Sequence, residues 1–399
     1  MLLDVAIIAA VLLTGLVLWA PRVHGSTVWQ AMTTPLASII GSGFLVLGPI
    51  LDASYGRFAP LAMAALCLAA YCYGFAIRFN IAAIGEDKDD RGRLVSTLET
   101  LSSWALGFAY VISVACYLNL FGAFAVSLTE AAGPFSGKVV TTAVFIVILF
   151  VGWTRGFKSL EHLEYVSVTL KLAIIAGLLT GLAVYFSGRM FDGGLIFNDA
   201  SVGGWAAITL GFGLIVTVQG FETSRYLGET YRPDIRIRSM RRAQWLTTLI
   251  YMGYILLFSF IFERGEIELS ETAIVDMLGI VAPVLPALLV AAALSAQFSA
   301  AIADTGGSGG LVFELTSGRI SERLAYALLA AAGMAMTWTL NVFEIISYAS
   351  RAFAVYYAVQ ALIAALGAAR NGQPVRTAFF AMLAMLGSAI AVLGQAVEA

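Results

Sequence analysis

Apolar side chains gather in runs of helical length along the whole chain, at about 2–20, 28–50, 57–83, 99–128, 138–153, 163–186, 203–228, 243–262, 274–303, 323–341, 343–366 and 375–396. A helix needs ~20 mainly apolar residues to cross a bilayer, so the pattern predicts about twelve transmembrane helices. Two runs are interrupted. The second holds Pro35, Gly41, Gly43, Gly48 and Pro49, and the seventh holds Gly211, Gly213 and Gly220 beside Glu222. Two glycines inside one helix cost ~2 kcal/mol against alanine, so 28–50 is expected to unwind near Gly41. The glycines and buried carboxylate of 203–228 mark a second such point.

Composition narrows the class. The chain is 60% hydrophobic and only 12% charged, about half the charge of a soluble domain. That excludes a soluble enzyme, a disordered chain and a disulfide scaffold. Its 23 basic and 25 acidic residues offer nucleic acid no electrostatic attraction. Cys67, Cys72 and Cys116 all lie in apolar runs without the spacing of a redox or zinc motif. With only His24 and His162 besides, no metal site and no cofactor are expected. The first run opens Met1-Leu2-Leu3-Asp4, acidic where a signal peptide is basic, and so reads as a further crossing helix. The chain is an all-α polytopic membrane protein.

Basic residues then predict orientation. Alternate connections carry Arg22; Lys88, Arg91 and Arg93; Arg155 and Lys158; Arg232, Arg236, Arg238, Arg241 and Arg242; Arg319 and Arg323; Arg370 and Arg376. The other set carries only Arg57, Lys138, Arg189 and Arg264. Fifteen against four places the first set in the cytoplasm. Both termini and the acidic loop from Glu263 to Glu271 then lie outside a cell membrane.

The interrupted runs are five apart, and an odd repeat reverses the direction of crossing. Matched broken helices in two halves point to an inverted-repeat transporter with its site at the breaks. There, free N–H groups can hold an anion and free carbonyls an amine or cation. The rival account is that the glycines only let helices pack closely.

At these residues the chain resembles the amino acid–polyamine–organocation (APC) transporters. Ile39-Ile40-Gly41-Ser42-Gly43-Phe44 looks like their first-helix signature. Gly152-Trp153-Thr154-Arg155-Gly156-Phe157-Lys158, followed by Val168-Thr169-Leu170-Lys171-Leu172, resembles their fourth-to-fifth helix junction. Gly220-Phe221-Glu222, with Glu229, Arg232 and Pro233, resembles their sixth helix and the loop after it. The resemblance implies a LeuT-like 5+5 inverted repeat, with one helix before and one after the ten-helix core. The divisions are an additional helix in 1–27, a first repeat in 28–186, an outer connection in 187–202, a second repeat in 203–366 and a last helix in 367–399. It implies a secondary transporter, not an enzyme, that moves an amino acid or related small amine by alternating access. Its partners are that substrate, protons and membrane lipid. Ile40, Gly41, Ser42, Gly43, Gln219, Gly220, Phe221 and Glu222 are the substrate-binding candidates. The family's lysine at the position of Lys171 stands where sodium-coupled relatives hold their ion, which favours proton coupling or exchange. The extra first helix, Asp304 where a basic residue is common, and Gln219 where an aromatic or small residue is common depart from the family's pattern.

Lys171, Glu222, Arg225, Asp304 and Arg351 are the coupling and gating candidates, being charges set in apolar runs. Lys171 sits ~12 Å into its helix at 1.5 Å per residue, too deep for snorkelling alone, and Asp304 is its alternative passive partner. Glu222 and Arg225, three residues apart, are either a local ion pair or, for Glu222, a coupling carboxylate. Arg351 meets a substrate carboxylate, pairs with Glu344 or snorkels outward; Arg78 is expected to snorkel. Two motifs fail. Glu86-Asp87-Lys88-Asp89-Asp90 is crowded, neutralised and without a second cluster, although it is the only foothold for an integral-membrane enzyme. Gly306-Gly307-Ser308-Gly309-Gly310 lacks the Gly-Lys-Ser/Thr ending of a phosphate loop and reads as the flexible or closely packed end of a helix. A receptor-like protein and a sodium-coupled carrier, the latter using Ser295, Ser299 and Thr305, complete the alternatives.

Overall fold

The computed structural model describes residues 2–41, 43–86, 92–154, 161–228, 230–265 and 268–397, with side chains left aside at 84–86 and 161–164. Ser42, Glu229, the run Asp87, Lys88, Asp89, Asp90 and Arg91, and Arg155 to Lys158 lie outside the described residues.

The described residues are predominantly helical, with no strand among them. In order the helices are α1 (Leu2–Trp19), α2 (Pro21–His24), α3 (Thr27–Ile39), α4 (Gly43–Tyr55), α5 (Ala59–Glu86), α6 (Gly92–Val126), α7 (Pro134–Thr154) and α8 (Glu161–Phe191). Then come α9 (Gly204–Gly213), α10 (Pro233–Phe258), α11 (Ala273–Val281), α12 (Leu285–Leu315), α13 (Glu322–Thr339), α14 (Val342–Arg370) and α15 (Pro374–Leu393). Local chemistry starts several of them. Ser26 accepts from the Trp29 N–H, Ser321 accepts from the Leu324 N–H, and Asn341 with Glu344 forms a capping box.

Each apolar run of the sequence is helical for most of its described length, and among the described residues eight stretches are long and apolar enough to cross a membrane unaided. The other four runs fall short for visible reasons. Two are the broken ones. α10 carries Arg236, Arg238, Arg241 and Arg242 in its first half, and α13 is short and opens with Glu322 and Arg323. The ends of the helices bearing the many basic connections are called the basic face below.

α6 is the most deeply enclosed long helix, packed among α7, α12, α13 and α14. α3, α5, α8 and α10 gather around the breaks. α1 is peripheral: only Ile7 is buried, seated against Gly177 and Gly181 of α8. The glycine-rich stretch 306–310 does not end a helix. It continues within α12, where Gly307 packs on Tyr110 and Gly309 on Tyr326. Arg78 does not snorkel either. Its guanidinium is buried, bonded to Gln244, and lies 4.8 Å from the Tyr71 ring centre.

Candidate functional site

The two breaks cross in direct contact. α3 stops at Ile39, and the chain turns through Ile40 and Gly41 before α4 begins at Gly43. α9 stops at Gly213, passes through a 3-10 turn (Ile215–Val218) and an extended Gln219, and then enters the 3-10 segment Phe221–Tyr226. Gly220 has φ 114°, a left-handed value that strains any other residue. A Cβ on Gly220 would lie 2.4 Å from Ser38 Oγ and 2.6 Å from Ile39 N; one on Gly43 would lie 2.5 Å from Thr217 Cα. Each break therefore lends a glycine to the other. The packing role is real at Gly43 and Gly220, so leucine at Gly43 would collide with the backbone at Thr217.

Unwinding inside an apolar medium leaves backbone groups that need new partners. The Tyr251 hydroxyl supplies one, lying 3.0 Å from the Ile39 carbonyl and 2.7 Å from the Thr217 carbonyl. Ser350 Oγ bridges the other break, donating to the Gly213 carbonyl at 2.7 Å and accepting from the Val216 N–H at 3.0 Å. Lys171, only 2% exposed, donates from Nζ to the Ala37 carbonyl at 2.9 Å. A positive charge thus sits against the last turn of α3, where the helix dipole is negative.

Beside the crossing lies an acidic cluster. Glu222 is fully buried; its Oε2 accepts from the Gly220 N–H and from the Tyr357 hydroxyl, each at 2.9 Å. Its Oε1 is buried without a hydrogen-bond partner. Asp304, on α12, is 4% exposed and accepts from the Ser113 hydroxyl of α6. Asp304 and Glu222 lie within each other's electrostatic reach. Gln219 spans the cluster weakly, donating to the Tyr117 hydroxyl at 3.4 Å and accepting from Tyr357 at 3.5 Å. Phe221 stacks on Tyr357 at 5.3 Å between centroids, and Tyr73 stacks on Tyr357 at 5.1 Å.

Arg225 belongs to a different group. It pairs with Glu99 of α6, not with Glu222, and its Nη1 donates to Gln360 Oε1 at 2.5 Å. Gln360 in turn donates to Ser102 at 2.7 Å, while Asn80 donates to both the Gln360 carbonyl and its side-chain oxygen at 2.9 Å. Arg236 donates to the Arg225 carbonyl at 2.7 Å. This network ties α5, α6, α10 and α14 to the 3-10 segment on the basic face of the crossing. Lys171 and Asp304 have separate partners, Ala37 and Ser113, so the pairing considered for them is not made. Arg351 donates from Nε to the Ala391 carbonyl at 2.8 Å and so joins α14 to α15; Glu344 is occupied in the capping box.

On the opposite face a cleft of about 510 Å³ opens between α6, α7, α11 and the start of α14, lined in part by Asn119, Lys138, Glu271 and Asp276. The connection after α8 is stitched to the outer half of the first break: Ser201 N bonds the Ser54 carbonyl and Arg57 N bonds the Asn198 carbonyl. The structure therefore brings Ile40, Gly41, Gly43, Gln219, Gly220, Phe221, Glu222 and Lys171 to the crossing and its walls, with Asp304 alongside. It leaves Arg351 away from them. Sequence reasoning missed Ser113, Tyr117, Tyr251, Ser350 and Tyr357. Their one signal is a hydroxyl in an otherwise apolar helix, which local pattern cannot tell from a core residue.

Residues 21–394 match the family described as APC superfamily transporter. A protein of Aquifex aeolicus (strain VF5), itself described as uncharacterized, is 37% identical over 404 residues, covering 100% of this chain and 98% of the relative. A match over nearly the whole length joins a fold of broken, membrane-length helices to a family of carriers, and the chain belongs to the APC superfamily of transporters.

Proposed function

We propose that the chain is a secondary carrier that works by alternating access and holds its substrate where the two broken helices cross. The substrate is an amino acid or related small amine, moved without sodium by proton coupling or exchange. Residues 28–186 and 203–366 act as the two inverted halves, with the basic face in the cytoplasm of a cell and both termini outside.

The observation that carries this reading is the reciprocal contact of the breaks, Gly43 on Thr217 and Gly220 on Ser38, with the Lys171 ammonium bonded to the Ala37 carbonyl beside them. A fixed ammonium at that point supplies the charge that a bound metal cation would otherwise bring to the end of α3. It also offers a group that can gain or lose a proton as the halves rock.

The test is uptake of labelled amino acids and amines into proteoliposomes under an imposed pH gradient, with and without sodium, for the wild type and Lys171→Ala. The reading expects sodium-independent uptake that the substitution reduces at least tenfold. Sodium-dependent uptake, or uptake unchanged by the substitution, would remove the coupling assignment; no flux of any solute would remove the carrier reading.

A further inference from the structure

We propose that Gly394 and Gln395, which follow α15, form a strap across the second break, and that Arg351 is the positioning residue that sets it there. The inference rests on the carrier reading and adds a step to it: the strap must let go of α9 before α9 can swing.

The contact is centred on Gly213, where α9 stops. A Cβ on Gly213 would lie 1.8 Å from the Gln395 carbonyl oxygen, and one on Gly394 would lie 3.4 Å from Gly213 N. Backbone therefore meets backbone at the break. Residues beyond the last helix of a domain fray unless something ties them down. Here Gly394 and Val397 are buried. The Gln395 N–H donates to the Thr209 carbonyl at 3.0 Å, and the Thr209 hydroxyl donates to Gln395 Oε1 at 2.9 Å.

Two adjacent residues of α14 grip both sides of this contact. Ser350 holds the Gly213 carbonyl and the Val216 N–H on the side of the break. Arg351 Nε donates to the Ala391 carbonyl in the last turn of α15 at 2.8 Å. Its Cγ lies 3.2 Å from where a Cβ on Gly394 would stand. A charge set in an apolar helix, away from the crossing, thus fixes the point from which the strap starts.

Such a contact is a stop in one direction and a latch in the other. α9 cannot move toward the strap, because there is no space between the two backbones. It can move away, and then both hydrogen bonds to Gln395 break. Release costs the hydroxyl little. Thr209 Oγ1 has one proton to donate and two further acceptors within 3.2 Å, the Trp205 and Ala206 carbonyls, so it can turn back into its own helix. The Gln395 side chain is already exposed.

Reversible locking tests the step in the full-length protein. Thr209→Cys with Gln395→Cys places thiols where the two side chains touch, to be joined by a disulfide or a short bis-methanethiosulfonate. In proteoliposomes, with whichever labelled amino acid or amine the wild type takes up, linking should lower uptake at least tenfold and dithiothreitol should restore it. The wild type, treated alike, reports any effect at Cys67, Cys72 and Cys116. Arg351→Ala should slow the linking at least tenfold, whereas Arg351→Lys, which can still donate to the Ala391 carbonyl, should not. Full uptake by the linked protein, or two cysteines that do not link, would overturn the strap. Linking as fast in Arg351→Ala as in the parent would take Arg351 out of it. In each of those cases uptake by the wild type leaves the carrier reading standing, whereas absence of all uptake takes both down.

Discussion

Two clusters of buried charge meet on one six-residue 3-10 segment, three residues apart, and they are built on opposite principles. Around Arg225 the charge has a counter-charge and the amides have partners: Glu99 for the guanidinium, Gln360 for a second N–H, Ser102 and Asn80 for Gln360, although Glu99 Oε1 is left without a hydrogen bond. Around Glu222 the donors are all neutral and one carboxylate oxygen has none. What differs is the counter-charge: Arg225 has one in Glu99, whereas Glu222 is held by neutral donors alone. On the carrier reading proposed above, Arg225 has a structural part and Glu222 is the group open to a ligand or a proton.

The largest effect should come from breaking the charge-paired cluster. Arg225→Ala leaves Glu99 and Gln360 without their shared donor, and removing one partner of a buried pair costs ~3 kcal/mol or more. The expected result is a marked drop in melting temperature. Replacing both partners, Arg225→Met with Glu99→Gln, should recover most of that loss, because no uncompensated charge remains. A double variant as unstable as Arg225→Ala would show that the pair does more than satisfy itself. A smaller effect is expected in the other cluster. Tyr357→Phe keeps the stack with Phe221 and Tyr73 but removes the 2.9 Å hydrogen bond to Glu222. A hydrogen bond of this kind is worth ~1–2 kcal/mol, so ligand affinity should change several-fold while the melting temperature moves little. An unchanged affinity beside a large fall in melting temperature would invert the comparison.

The fold was largely legible because its determinants are local. Twelve apolar runs became helices, and both interruptions were visible as glycines that no helix interior favours. The burial of Lys171, Glu222 and Asp304 was legible for a related reason: each is a charge set within an apolar run. Partners were not legible. The sequence left Glu222 with Arg225, Lys171 with Asp304 and Arg351 with Glu344 as alternative pairings, yet Arg225 chose Glu99 and Arg351 chose the Ala391 carbonyl. Arg78 was read as reaching for the surface and instead found Gln244 of α10. Arg225 and Arg78 reach partners more than a hundred residues away and Arg351 reaches the next helix, and helical periodicity carries no information about which helix will lie alongside. The hydroxyls that mend the breaks, Tyr251 and Ser350, were hidden for the same reason.

The most direct test of the account is Glu222→Gln, read for stability and transport in one preparation. The substitution keeps the size of the side chain and its bonds to the Gly220 N–H and Tyr357 hydroxyl, and removes only the charge. Melting temperature should hold or rise, because a buried charge has been neutralised, while uptake into proteoliposomes falls at least tenfold. Full uptake at a reduced melting temperature would contradict it, making Glu222 a structural group and moving the working site away from the crossing.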